Sequence, residues 1–345
     1  MTRDRRRCAS AARARGVTLV EIMVSLTLAA LLIAGAVQVY SDSSKTYAIH
    51  ETASRLEENA RYVFSVLEPD VRMASYWGLM KGSIGIVGAA AQTAGTANAL
   101  AGAAATACGN NFGVDLTTTL EGTNDGYTLG CAAFHARPMP ASDTLTVRRA
   151  SFLATTVPAA TVGPLRICST RLAATLVKVA NVATTCPAAP TGLVNDLIVH
   201  AYYVDKDSAT TVNVPTLFRK SLTATPGFTD EEILPGVEDL QVQFGIDPTG
   251  ANGIATQYIN PLAAAALPAT SQIVAVRIWL LLRAEAPETG FVDNRVYQYG
   301  NRSTANGTVS SLTVATSAGK AYAPGDNFRR LLVSRTVMIR NSLGT

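Results

Sequence analysis

The sequence predicts an α+β protein, with one long N-terminal helix packed on an antiparallel β-sheet that carries large loop insertions. Three observations predict it. Val17 to Tyr40 is almost wholly apolar, about 36 Å of helix at 1.5 Å per residue and enough to cross a bilayer. After it, Ile49, Ala53, Leu56, Ala60, Val63 and Leu67 recur at alternating steps of four and three, the stripe of an amphipathic helix. Beyond Gly78 the chain turns to short runs of β-branched and apolar residues separated by turn-forming residues, which read as strands.

The two helical stretches read as one helix from about residue 17 to about residue 68, greasy all round in its first half (17–40). In its second half (41–78 with the closing turn) Arg55, Glu57, Glu58 and Arg61 point away from the stripe. Pro69 is expected to disturb the helix and Gly78 to end its continuation. Tyr76 and Trp77 read as core residues packing the helix onto the sheet. A secretory signal peptide would have a shorter apolar core and a small-residue cleavage site, and "AGAV" at 34–37 is a poor one. Cys8 precedes the apolar run, which excludes a lipoprotein signal.

The net charge of +4 is local. The first sixteen residues hold six arginines against Asp4, or +5, and the rest of the chain sums to −1. Beyond the leader no basic surface argues for nucleic acid. By the positive-inside rule the arginines stay cytoplasmic and the remainder crosses the membrane. Of five cysteines, Cys108, Cys131, Cys168 and Cys186 lie beyond the apolar segment, an even number that fits an oxidising space. Four cysteines allow three pairings. Cys108–Cys131 and Cys168–Cys186 are favoured because each closes a short local loop; four free buried thiols are the alternative.

The domain from 79 to 345 is expected to be β-rich. Its best strands are 143–151, 196–205, 215–222, 237–246, 271–284 and 329–341, and separators such as Asp247-Pro-Thr-Gly250 and Asn306-Gly307 favour antiparallel pairing. Residues 88–107 are Ala, Gly and Thr with almost no large apolar side chain, the stretch around Ala263–Ala266 is similar, and 300–320 is polar. All three read as loops, the last as a long hairpin or loop.

No enzyme is expected, since nucleophile-elbow, zincin and phosphate-loop patterns are missing from the sequence. His50, His135 and His200 stand in unrelated contexts; His200, flanked by apolar strand residues, reads as structural. The nearest approach to a metal motif is "DKDS", with Asp205 and Asp207 and, at a distance, Asp247. A calcium loop needs further oxygen ligands at close spacing, so an acidic hairpin turn is the preferred reading, with no metal and no cofactor.

Glu21 stands inside the apolar run, where an ionised carboxylate is costly and usually functional. "RGVTLVEIMVSL" (15–26) resembles the type III signal of type IV prepilins: a basic leader ending in glycine, then a long apolar helix with glutamate at its fifth mature position. Val17 departs from the more usual Phe or Met. "RLEENARYVFSVLEPDVRMASYWG" (55–78) resembles the segment closing the long helix in PilW-type minor pilins. "ILPGVEDLQVQFGID" (233–247) and the closing "FRRLLVSRTVMIRNSLGT", with Arg340-Asn341, resemble two of their strands.

The resemblance implies a pilin-like fold and a prepilin peptidase that cuts between Gly16 and Val17 and methylates Val17. Glu21 would then pair with the cationic N-terminus of a neighbouring subunit in the filament. It also implies other minor pilins and the major pilin as partners. The expected location is the inner membrane, single pass with the N-terminus cytoplasmic, and later the pilus and cell surface, in adhesion or twitching motility. A minor pseudopilin of a type II secretion system shares these features; a signal-anchored periplasmic enzyme or binding module does not.

Overall fold

In the computed structural model the described residues are 16–83, 85–88, 108–109, 111–154, 164–178, 192–223, 227–250, 252–261, 270–301 and 322–341. One helix, α1 (Leu19–Arg72), is followed by twelve strands: β1 (Ile86–Val87), β2 (Leu120–Glu121), β3 (Leu145–Ala154), β4 (Leu165–Ser169), β5 (Ala174–Lys178), β6 (Leu193–Asp205), β7 (Thr216–Leu222), β8 (Phe228–Pro235), β9 (Val237–Asp247), β10 (Gln257–Ile259), β11 (Gln272–Arg283) and β12 (Arg330–Met338). The protein is α+β, as expected. Its contacts divide it into two compact units, one up to Thr52 and one from Ala53 to Thr345.

The first unit is helix. Thr18 caps it, its Oγ1 accepting a hydrogen bond from the Glu21 backbone N–H at 3.3 Å, the N-cap arrangement that satisfies one orphan donor of the first turn. From Leu19 to Tyr40 the apolar side chains are exposed, and this is a helix long and apolar enough to cross a membrane.

The second unit holds the remainder of α1 and both sheets. Leu56, Ala60, Val63, Phe64, Leu67 and Val71 are buried along one face, while Ile49 is only half-buried and Ala53 exposed. The helix also runs past its expected end. Pro69 lies inside the last turn and α1 continues to Arg72. A ring nitrogen there costs one bond to the preceding turn, and the turn is held from outside instead: Arg340 donates its backbone N–H to the Arg72 carbonyl at 3.2 Å.

Two sheets, not the one expected, make up the β structure. The larger runs β1-β5-β4-β6-β3-β2, with β7 on β6 and β8 on β7. Its pairs are antiparallel except for the short parallel contact of β1 with β5. Strand β6 is central because it is long: β3 lies along one edge, and β4 then β7 share the other. The smaller sheet is β10-β9-β11-β12, antiparallel throughout. Two devices join them. Gly236 turns β8 into β9 at φ +84°, with room for nothing larger, since a Cβ would stand 2.7 Å from the Arg283 carbonyl oxygen. Beyond the short β10, the outer edge of β9 is capped by residues 142 and 143. The Asp143 backbone N–H reaches the Leu240 carbonyl at 2.8 Å, and the Asp143 carboxyl accepts the Val242 N–H at 2.8 Å, which covers an edge otherwise open to pairing.

Alternation along β6 explains why both its faces read as apolar. Tyr202 and Val204 join the core shared by the α1 stripe, β9 and β11. Leu197, Val199 and Ala201 face the other way, into a second core with Trp77, Ile167 and Leu176. Trp77 is thus wholly buried, as expected of a core residue, but in the second core and not between helix and sheet.

Candidate functional site

Gly16 and Val17 precede the helix, and Glu21 sits in its first turn. It is the one charged residue between Leu19 and Tyr40. A carboxylate in a first turn faces the unpaired N–H groups and positive end of the helix dipole, a favourable position. Thr18 and Glu21 also stand at the spacing of a capping pair. The local structure therefore gives Glu21 a favourable setting in the isolated chain, beyond what the apolar run alone led one to expect.

The other end of α1 is fastened by a charge cluster that sequence reasoning missed. Asp70, buried at the helix end, accepts from Arg149 Nη2 at 2.5 Å and Nε at 3.1 Å. Its second oxygen meets Tyr202 Oη and His200 Nδ1, each at 2.5 Å. Burial alone pushes a carboxyl up. Here the hydrogen bond and charge of His200, then the Arg149 guanidinium and the Tyr202 hydroxyl, outweigh it and hold Asp70 well below the usual carboxylate range. His200 is structural, as its strand context predicted, and its partner lies 130 residues away.

A second cluster locks the smaller sheet. The Arg330 guanidinium is wholly buried and bonds Glu238 across the sheet at 2.5 and 3.0 Å, and Asp326 at 2.6 and 2.7 Å. Burial acts to lower its pKa, but Asp326 and Glu238 prevail and raise it. Tyr322 and Tyr299 donate to Glu238 and Asp239 at 2.8 and 2.6 Å, so the segments flanking 302–321 are tied to β9.

A disulfide joins Cys108 to Cys131. Cys168 is buried on β4; Cys186 lies outside the described residues, as do 89–107, 262–269 and 302–321, and with them most of the segments expected to be loops. The acidic run behaves in two ways. Asp247 stands apart from the other two and closes its own turn. Burial pushes it up, but hydrogen bonds from Thr249, Asn252 and Gly253 hold it at about 2. Asp205 and Asp207 remain together at the end of β6 and are joined by His135, a histidine that nothing in the sequence linked to them.

Residues 11–37 match the model of the prokaryotic N-terminal methylation motif, and this stretch contains Gly16, Val17 and Glu21. Residues 201–341 match the model of the type IV pilus-assembly protein W family. These two matches bear out the resemblance to PilW-type pilins that the sequence motifs carry. The family match runs from the middle of β6 through the cluster around Arg330 to Asn341, so it takes in the smaller sheet entire. No curated protein sequence matches the chain. A type IV-like pilin from Thermus thermophilus superposes at a TM-score of 0.34 with 12% identity, covering 84% of this chain and 98% of that one, a likeness too distant to build on. Both family matches support a pilin-type role in type IV pilus assembly and point to a structural protein.

Proposed function

We propose that this protein is a PilW-type minor pilin that helps prime pilus assembly, with a place at the filament tip beside other minor pilins. The observation that carries the reading is Glu21, the single charge in the exposed apolar stretch from Leu19 to Tyr40, which follows a basic leader and a glycine. Prepilin peptidase cuts between Gly16 and Val17 and methylates the new amine. The Glu21 carboxylate then meets the ammonium of a neighbouring subunit as helices gather. In lipid an isolated carboxylate is penalised, and a facing cation relieves the penalty, so bundling is favoured over dispersal. Before assembly the chain sits in the inner membrane with its leader cytoplasmic and the unit beyond α1 on the far side. It performs no catalysis of its own.

The test is the mass of the N-terminal peptide from protein recovered from its native membrane, together with incorporation of Glu21→Ala into filaments. The expected outcome is a peptide starting at N-methylated Val17 and at least about a tenfold drop in incorporation, the equivalent of ~1.4 kcal/mol. A peptide that retains the arginine leader refutes the processing step, and full incorporation of Glu21→Ala refutes the pairing. Copurification with secretion components in place of pilins assigns the subunit to a type II secretion filament.

A further inference from the structure

We propose that His135, Asp205 and Asp207 form a binding site for a divalent transition-metal ion of the zinc class. One ring nitrogen and one oxygen from each carboxylate lie within 4.8 Å of one another. Donors sharing a tetrahedral zinc at about 2 Å stand about 3.4 Å apart, so binding needs a closure of up to about 1.4 Å. An imidazole among carboxylates suits zinc, manganese or cobalt and not calcium, which takes oxygen.

The three residues are brought together by a fold that holds each in place. Asp205 ends β6, and Asp207 begins the hairpin to β7. The segment 133–139 lies along this corner: Met139 and Lys206 exchange backbone hydrogen bonds with Val204 and Arg137 at 2.8 and 2.9 Å. A tight turn with Ala136 at φ 54° presents His135. Phe134 fixes that turn, stacking on Phe218 at 5.0 Å and receiving the edge of the His135 ring at 4.5 Å. His135 is exposed while the two carboxylates are buried, so the site has a dry floor and a wet mouth.

Charge balance is the second, independent observation. Asp205 has 0% of its surface exposed, yet among the described residues its carboxylate accepts only the backbone N–H groups of Asp207 at 3.1 Å and His135 at 3.4 Å. Among the described residues it has no cationic side chain at ion-pair distance. A buried carboxylate without a counter-charge is strongly disfavoured, and a dication at this point supplies one. Asp207 is differently placed. Its Oδ1 accepts the Asn213 N–H at 2.7 Å, and its Oδ2 pairs with Arg137 at 2.8 Å. Arg137 is the group a metal displaces; with 47% of its side chain exposed it can turn into water while Asn213 keeps the carboxylate oriented. Three protein donors leave a fourth position for water at the open mouth. Bound metal clamps the β6–β7 hairpin to the segment that follows Cys131.

The experiment uses the full-length chain in detergent micelles, stripped with EDTA, dialysed, and titrated calorimetrically with zinc chloride. One saturable site and a raised thermal midpoint are expected. His135→Ala removes an exposed side chain and leaves the core packing intact; it is expected to weaken binding at least about tenfold, and Asp207→Asn likewise. Arg137→Ala is expected to tighten binding several-fold by removing the competitor, and His50→Ala, at the exposed histidine of α1, to change nothing. The proposal is overturned by no saturable uptake of zinc, manganese or cobalt, by uptake that His135→Ala leaves unchanged, or by a preference for calcium.

Discussion

Replacing Asp70 by asparagine removes one charge from the buried cluster at the end of α1 while keeping the shape of the side chain. Four hydrogen bonds converge on this carboxylate, two from Arg149 and one each from His200 and Tyr202. Arg149 and Asp70 expose only 14% and 6% of their side chains, so the guanidinium is left largely buried against a neutral amide. Breaking one side of a buried pair costs about 3–5 kcal/mol, far above the ~0–1 kcal/mol of an exposed pair. With a urea slope of about 3 kcal/mol per molar, the midpoint falls by about 1 M or more. Trp77, wholly buried in the same unit, reports the transition by fluorescence. The pH dependence carries the sign. A carboxyl whose folded pKa is depressed contributes stability that is present above its unfolded value near 3.9 and is lost as pH falls through the lower, folded value. The gap between wild type and Asp70→Asn is therefore constant from pH 7 to about 5 and narrows below about pH 4. A midpoint shift under about 0.3 M at pH 7, or a gap that widens in acid, refutes the account of Asp70 as the anchor of the helix end.

Two further predictions concern the same unit, and a third rests on its charge clusters. Cys108→Ser, which opens a disulfide between residues 23 apart, is expected to cost about 3 kcal/mol by loop-closure entropy, read as a lowered urea midpoint under non-reducing conditions. Gly236→Ala puts a Cβ against the Arg283 carbonyl at positive φ and is expected to cost about 1–3 kcal/mol; an unchanged midpoint refutes the requirement for glycine. Arg330→Met leaves Asp293 buried without its cation and Glu238 with only the more distant Arg283 at 3.9 Å, with an expected loss of about 3–5 kcal/mol measured by thermal unfolding.

Strand β8 shows why part of the sheet was not legible in advance. "FTDEEILP" (228–235) carries three acidic residues in succession, and such a run reads as solvated turn. Its partner β7 carries Arg219 and Lys220, and the register sets Arg219 opposite Glu231 and Lys220 opposite Asp230, pairs bridged at 2.6 Å each. Cross-strand ion pairs of this kind stabilise a sheet that neither strand specifies alone. A basic pair and an acidic run at hairpin distance were the signal. Strands β4 and β5 escaped for another reason: their turn has neither glycine nor asparagine and is closed by Thr170, whose Oγ1 accepts the N–H groups of Leu172 and Ala173.

The strands that were legible, β3, β6, β7, β9, β11 and β12, are those whose apolar alternation is long enough to outweigh local ambiguity. The stripe from Leu56 to Leu67 and the greasy span before it were legible because helical period and apolar length are properties of neighbouring residues. So were the leader, the glycine and Glu21, whose meaning rests on their spacing. The division into two sheets, the fastening of Asp70 by residues 79 to 132 positions away and the meeting of His135 with Asp205 across 70 were decided by the tertiary structure alone. Long-range pairings of charge depend on which strands the chain path sets side by side, and a buried charge is tolerated only where that path delivers its counter-charge. The sequence by itself determined a helix long and apolar enough to cross a membrane, a β-rich domain and a prepilin-like N-terminal motif; packing decided which ionisable residues became structural and which three were left facing one another at the end of β6.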